Sequence, residues 1–176
     1  MKTPEIKTER MTLRAPNGAD FAIYERFFGD ANASKFYGGP MSPLRAWKKL
    51  AADLGHWHLR GYGMWALQIN ETDEMIGACG LVWPEGWPRH ELTWWIVPSA
   101  RRRGYALEAS RAAISFAYRT LKWEQVETHM DDNNDPARNL ALKLGGTIVD
   151  RIEFPDDLKR NIYVLPPIEM AQADTL

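Results

Sequence analysis

Residues 91 to 106 constrain this chain more than any other stretch. A strand rich in aromatic and β-branched residues spans positions 91 to 97 and stops at Pro98. A short loop then carries Arg101, Arg102 and Arg103 in succession, and Gly104 opens a long helix. Cations at a helix N-terminus oppose the helix dipole, so three in a row call for an anion. The unpaired amides of a first helical turn point at such a loop, and the dipole adds about half a positive charge there. Glycine lets backbone approach a phosphate closely, and arginine neutralises it. The phosphate loop of nucleotide hydrolases is absent, as is the G-x-G-x-x-G dinucleotide fingerprint. A nucleic-acid patch is the competing explanation. Glu108 follows in the first turns of the helix and the whole chain carries a net charge of -1, which argues against it.

With 176 residues, 45% hydrophobic and 26% charged, the composition excludes a disordered, collagenous or coiled-coil chain. The length suits one compact domain over residues 1–176. Cys79 is the single cysteine, so there is neither an internal disulfide nor a cysteine-rich metal site. A cytoplasmic setting is the expectation. The first ten residues lack the apolar core of a signal peptide, and no run reaches the ~18 apolar residues that span a bilayer.

Alternation over residues 10–14 predicts a first strand. Phe21, Tyr24, Phe27 and Phe28 predict a helix capped by Asp20. Ser42-Pro43 predicts a second helix whose apolar stripe is Leu44, Trp47, Leu50, Ala51 and Leu54, stopped by Gly55. Strands are expected over 64–69, 75–83 and 91–97 as an antiparallel meander, then a helix over about 104–121. A strand over 125–130, following so long a helix, is expected to run parallel to the one before it. A helix over 137–144 with a Gly145-Gly146 cap, a closing hairpin over 147–154 and 161–165, and a tail over 166–176 complete the order.

Arg101-x-x-Gly104-x-Ala106, after an aromatic strand ending in Pro98, resembles the [QR]-x-x-G-x-[GA] motif of the GNAT superfamily of acyltransferases. The segment from Asn134 through Ala137 to Lys143-Leu144-Gly145 resembles that family's second motif. Element order agrees over residues 8 to 165. Glu9 to Ala15 and the Gly-Tyr-Gly-Met-Trp-Ala run at 61–66 are most similar to the branch containing the ribosomal-protein N-terminal acetyltransferases. The resemblance implies a mixed, mostly antiparallel central sheet flanked by helices, with a splayed parallel strand pair holding acetyl-CoA as co-substrate. It implies acetyl transfer to a primary amine by direct attack, the acceptor being a protein N-terminus or a small molecule. Dimers are common in that family, so a homodimer is an expectation; a nucleic acid or a membrane is not.

On that resemblance Arg101, Arg102, Arg103, Gly104, Tyr105 and Ala106 take the pyrophosphate, and the backbone of Ile96 and Val97 takes the pantetheine. Asn134 either bonds the pantetheine or only caps the helix after it. Direct attack needs a base, and Glu91 and His90 are the candidates. Side chains alternate along a strand, so only one of the two faces the pocket. Many relatives carry a tyrosine four residues before the Lys-Leu-Gly glycine as proton donor to the thiolate; here that residue is Ala141, with Tyr163 as a substitute. This gap supports a second reading, a CoA-binding module without turnover. Of eight tryptophans, several belong to the core. Trp65, Trp83 and Trp87, with Trp57, offer an aromatic wall for an amine. His56 and His58, read as one face of an extended segment, lack the further ligands of a metal site.

Overall fold

The computed structural model describes residues 3–168; the end of the expected tail, residues 169–176, lies outside them. Strands β1 (Ile6–Lys7), β2 (Met11–Arg14), β3 (Met64–Ile69), β4 (Met75–Val82) and β5 (Glu91–Ile96) form one antiparallel sheet in sequence order. Strands β6 (Val126–His129), β7 (Thr147–Glu153) and β8 (Lys159–Leu165) form a second, ordered β6-β8-β7. Helices α1 (Phe21–Gly29) and α2 (Pro43–Arg60) connect β2 to β3; α3 (Tyr105–Arg119) and α4 (Asp135–Lys143) flank β6. This is the mostly antiparallel α/β fold the sequence implies.

No backbone ladder joins β5 to β6. Side chains join them near the start of β5: Thr128 Oγ1 donates to the Leu92 carbonyl at 2.8 Å, and just ahead of both strands His90 Nε2 meets the Gln125 carbonyl at 3.1 Å. Partner numbers rise together, so the strands are parallel, and beyond Leu92 they splay. The splay is the opening on which the site is built.

Local structure departs from the sequence reading at three points. Asp20 stands at the N-cap of α1 but its side chain makes no capping bond there; it closes a capping box with Asn17 on the preceding turn, where Asn17 Oδ1 accepts from Ala19 N and Asp20 accepts from Asn17 N, each at 2.8 Å. Helix α2 runs through Gly55 to Arg60 and ends at Gly61, whose φ of 77° makes it the left-handed cap. His56, Trp57 and His58 are therefore helical. The face α2 buries is Ala46, Leu50, Asp53 and Trp57, leaving Leu44, Trp47 and Leu54 exposed. An aspartate on the inner face is stable there because Asp53 accepts from Tyr24 Oη at 2.9 Å and from Lys49 Nζ at 2.5 Å. Burial, with the Asp53 charge adding to it, drives the Tyr24 phenol well above its usual range.

Two aromatic clusters fill the core. Trp95 packs against Tyr24, Phe27 and Phe28 beneath α1, with centroids 4.5–5.4 Å away. Trp57 and Trp65 meet at 4.7 Å, and Phe116 of α3 closes on Trp65 at 5.2 Å. Each buried aromatic removes on the order of 150–250 Å² from water.

Candidate active site

The loop after β5 makes one short turn over Pro98–Ala100 and then enters α3 through two left-handed residues, Arg102 at φ 60° and Gly104 at φ 84°. Alternating left- and right-handed residues gathers successive N–H groups into an anion-binding concavity. Among the described residues, the amides of Arg102, Arg103, Gly104, Tyr105 and Ala106 have no protein acceptor; the first helical bond is from Glu108 N to Gly104 O at 3.1 Å. Five donors and a helix dipole converge where the sequence places an anion.

The arginines do different work. Arg101 folds back: its Nε donates to the Ile96 carbonyl at 3.0 Å and its Nη2 to the Ala33 carbonyl at 3.1 Å. It ties the end of β5 to the segment between α1 and α2. Arg102 and Arg103 are exposed, and among the described residues their guanidinium groups make no ion pair. Behind the loop stands Arg10, which the sequence reading missed. It donates to the Arg103 carbonyl at 2.8 Å, pairs with Glu108 at 2.7 Å and lies 4.7 Å over the Tyr105 ring.

Register decides which groups of β5 face the splay. Val97 N donates to Ile76 O at 2.9 Å, and the β4–β5 pairs descend from there. Alternation along an antiparallel ladder then turns the polar groups of residues 93, 95 and 97 toward β4 and those of 92, 94 and 96 toward the opening. Leu92 O and Ile96 O are taken by Thr128 and Arg101. Trp94 and the Ile96 N–H remain open; of the expected pair Ile96–Val97, Val97 has its N–H in the ladder and its carbonyl accepting from Ala100 N at 3.0 Å. Opposite them, Asn134 is buried and caps α4, its Oδ1 accepting from Ala137 N at 3.3 Å.

Between these edges and helices α1 and α2 lies a cavity of about 770 Å³, within the range of small-molecule sites. Glu91, Thr93, Trp94 and Trp95 line it from β5, His129 from the end of β6 and Met130 just after it, and Trp87 from the loop before β5. Tyr37 closes one side, its phenol pushed up to about 12 by burial, against the opposing pull of Arg101. Glu91 thus stands at the cavity. His90 does not: it points the other way, stacks on Trp123 at 4.5 Å and bonds the Gln125 carbonyl.

Glu91 Oε2 lies 2.8 Å from His129 Nε2, with side-chain exposures of 16% and 5%. The sequence reading missed His129 because a contact across the splay leaves no spacing signal. Of the proposed aromatic wall only Trp87 lines the cavity. Trp65 is wholly buried on the other face of β3, its Nε1 donating to Pro4 O at 2.8 Å. Trp83 is 39% exposed, and its Nε1 donates to Trp87 O at 2.7 Å. His56 lines the cavity but is spent on structure, between the Tyr62 carbonyl at 2.6 Å and the Trp83 N–H at 2.9 Å. Ala141 and Tyr163 are core residues. Among the described residues no cluster of three His, Cys, Asp or Glu could hold a metal, and no helix is long and apolar enough to cross a membrane.

The fold has counterparts among known proteins. An acetyltransferase from Agrobacterium tumefaciens str. C58 superposes with a TM-score of 0.86 at 31% identity, covering 94% of this chain and 96% of its own. A ribosomal L7/L12 alpha-N-protein acetyltransferase solved with coenzyme A shares the fold, with a TM-score of 0.74 at 16% identity and coverage of 92% and 97%. In sequence, the N-acetyltransferase p20 of Bacillus licheniformis is 24% identical over 143 residues, 79% of this chain and 80% of that protein. The acetyltransferase (GNAT) domain profile matches residues 10–147, a span that takes in the anion loop and the splayed strands. The chain belongs to the GNAT acetyltransferase family.

Proposed function

We propose that this acetyltransferase moves an acetyl group from acetyl-CoA to a primary amine, by direct attack. One juxtaposition carries the reading: β5 bears a cavity-facing carboxylate at its first residue, and the chain leaving its far end forms the amide-lined anion loop. A molecule with an anionic end and a long amide-bearing arm fits that layout. Residues 102 to 106 would hold its phosphates, and the open polar groups of Trp94 and Ile96, with Asn134 opposite, would hold the arm. Acetyl-CoA supplies the activated thioester. The chain supplies position and a proton acceptor: Glu91 takes the proton from the amine nitrogen. Trp87, Trp94 and Tyr37 give the acceptor pocket an aromatic lining. That lining suits an amine on a partly apolar body, including the N-terminus of a protein as in the ribosomal-protein branch.

Ala141 favours a second reading, a CoA-binding module without turnover. It is fully buried and offers no proton donor. One series of measurements separates the readings. Acetyl-CoA at about 100 times Kd stabilises the fold by roughly 2.7 kcal/mol, a rise in Tm of roughly 5–10 °C, where NADH gives none. Thiol release with amines and N-terminal peptides then marks an enzyme, and Glu91→Gln lowers kcat by about 10²–10⁴-fold while keeping the thermal shift. A shift without thiol release from any amine leaves the binding module. No shift at all removes both.

A further inference from the structure

The loop between β4 and β5, residues 83–90, is fastened to the second sheet on one side and to α2 on the other. On the sheet side Arg89 donates to Glu127 at 3.0 Å and to Asp150 at 2.8 Å. The Trp87 ring lies 5.3 Å from that of Phe154, and its Nε1 donates to His129 Nε2 at 3.4 Å. On the α2 side Arg60 pairs with Glu85 at 2.8 Å, but Glu85 is 96% exposed and such a pair holds weakly. The remaining polar tie to α2 is His56. Its Nε2 accepts from Trp83 N at 2.9 Å, and its Nδ1 lies 2.6 Å from the Tyr62 carbonyl.

A carbonyl can only accept and a backbone N–H can only donate, so the two contacts assign both ring nitrogens: Nδ1 carries the proton and Nε2 offers its lone pair. A proton on Nε2 would set two donors face to face. The charged groups nearest on α2 and in the loop are already paired, Lys49 with Asp53 and Arg60 with Glu85. Glu91 lines the same cavity, and no hydrogen bond joins it to the ring among the described residues. From Trp83 the constraint passes on. Trp83 Nε1 donates to the Trp87 carbonyl at 2.7 Å, and Trp87 N closes the turn on the Pro84 carbonyl at 3.0 Å.

We infer that His56 is a positioning residue for the acceptor amine: as the Nδ1–H tautomer it fixes Trp83, and through Trp83 it sets where Trp87 stands in the cavity. The kinetic consequence rests on the amine-transfer reading above; the placement of Trp87 rests on geometry alone.

The test pairs kinetics with spectroscopy on the full chain. His56→Ala raises KM for the amine about five-fold, the effect of one lost hydrogen bond between neutral groups. Its kcat and its Kd for acetyl-CoA stay within about two-fold of wild type, because the pocket and not the chemistry is disturbed. His56→Gln offers an amide oxygen to Trp83 N and brings KM back to within about two-fold of wild type. In a Trp87→Ala background His56→Ala changes KM by less than about two-fold, since it acts through the residue already removed. Long-range ¹H–¹⁵N correlation of the unliganded protein finds the His56 proton on Nδ1. The Trp87 indole N–H signal moves in His56→Ala and returns in His56→Gln. A wild-type KM in His56→Ala, no recovery in His56→Gln, or an undiminished effect in the Trp87→Ala background overturns the inference. So does a fall in kcat or in acetyl-CoA affinity as large as the rise in KM. A proton on Nε2, or an indole signal unmoved in His56→Ala, does so without reference to turnover. If both spectra are as stated and no amine is acetylated, the amine-transfer reading falls instead, and the kinetic role of His56 with it.

Discussion

Arg101, Arg102 and Arg103 are adjacent in sequence and chemically identical, yet the fold gives them opposite tasks. Arg101 spends its donors on two carbonyls of its own chain, at 3.0 and 3.1 Å. Arg102 and Arg103 remain in solvent beside five free amides. Removing Arg101 leaves those carbonyls without their partner, so Arg101→Ala is expected to cost about 1–3 kcal/mol in thermal or urea unfolding. Arg102→Ala and Arg103→Ala are expected to change stability by no more than about 0.5 kcal/mol. They weaken acetyl-CoA binding instead, with a shallower salt dependence of Kd by calorimetry, because they act as screened surface charges. A loop in which Arg102→Ala unfolds the protein and Arg101→Ala does not would contradict the assignment. The sequence showed three arginines before a helix and so an anion; it carried no sign of which one turns inward, since Ala33 lies 68 residues away.

At the scale of elements, α2 teaches where periodicity stops being decisive. Two stripes recur along it at spacings of three and four: Leu44, Trp47, Ala51, Leu54 and Ala46, Leu50, Asp53, Trp57. Apolar content favours the first; the structure buries the second, because Asp53 finds Tyr24 and Lys49 and Trp57 finds the Met64 carbonyl at 2.8 Å. Leu44→Gln should therefore leave Tm nearly unchanged, within about 0.5 kcal/mol, whereas Leu50→Ala should cost about 2–5 kcal/mol. Equal effects of the two in a thermal scan would reverse the faces. The strands were more legible than the helices. Hairpin turns at residues 70–74 and 84–88 and the stop at Pro98 bound β3, β4 and β5 closely, since turn residues act locally.

The whole molecule is held together at contacts far apart in the chain, and one of them responds to pH. Arg10 precedes β2 and Glu108 lies in the first turns of α3, 98 residues on, joined by two hydrogen bonds at 2.9 and 2.7 Å. Burial alone would raise the Glu108 carboxyl. The nearby Thr8 hydroxyl and the hydrogen bonds from the Arg10 backbone and side chain outweigh it and hold the group below its usual value of 4.5. A carboxyl depressed on folding contributes stability that is present above the unfolded value and lost as pH falls through the folded one. Glu108→Gln is thus expected to lower Tm at pH 7, with the gap to wild type narrowing below about pH 4.5 as both forms become neutral. A gap that stays constant down to pH 3 would show packing rather than charge at work.

By itself the sequence determined the order of elements, the anion loop, the family and the strand that bears Glu91. Each is written in neighbouring residues: a period, a turn dipeptide, a cap, a glycine at a left-handed φ. Tertiary structure alone decided that Glu91 rather than His90 meets the cavity, that Trp94 and Ile96 rather than Val97 face the opening, and that His129 stands 2.8 Å from Glu91 across the splay. Those outcomes depend on the β4–β5 register and on how far β5 and β6 part beyond Leu92. The register follows from how the 83–90 loop closes its hairpin, and the splay from packing between β5 and a strand beyond α3; neither is written in the period of a single segment.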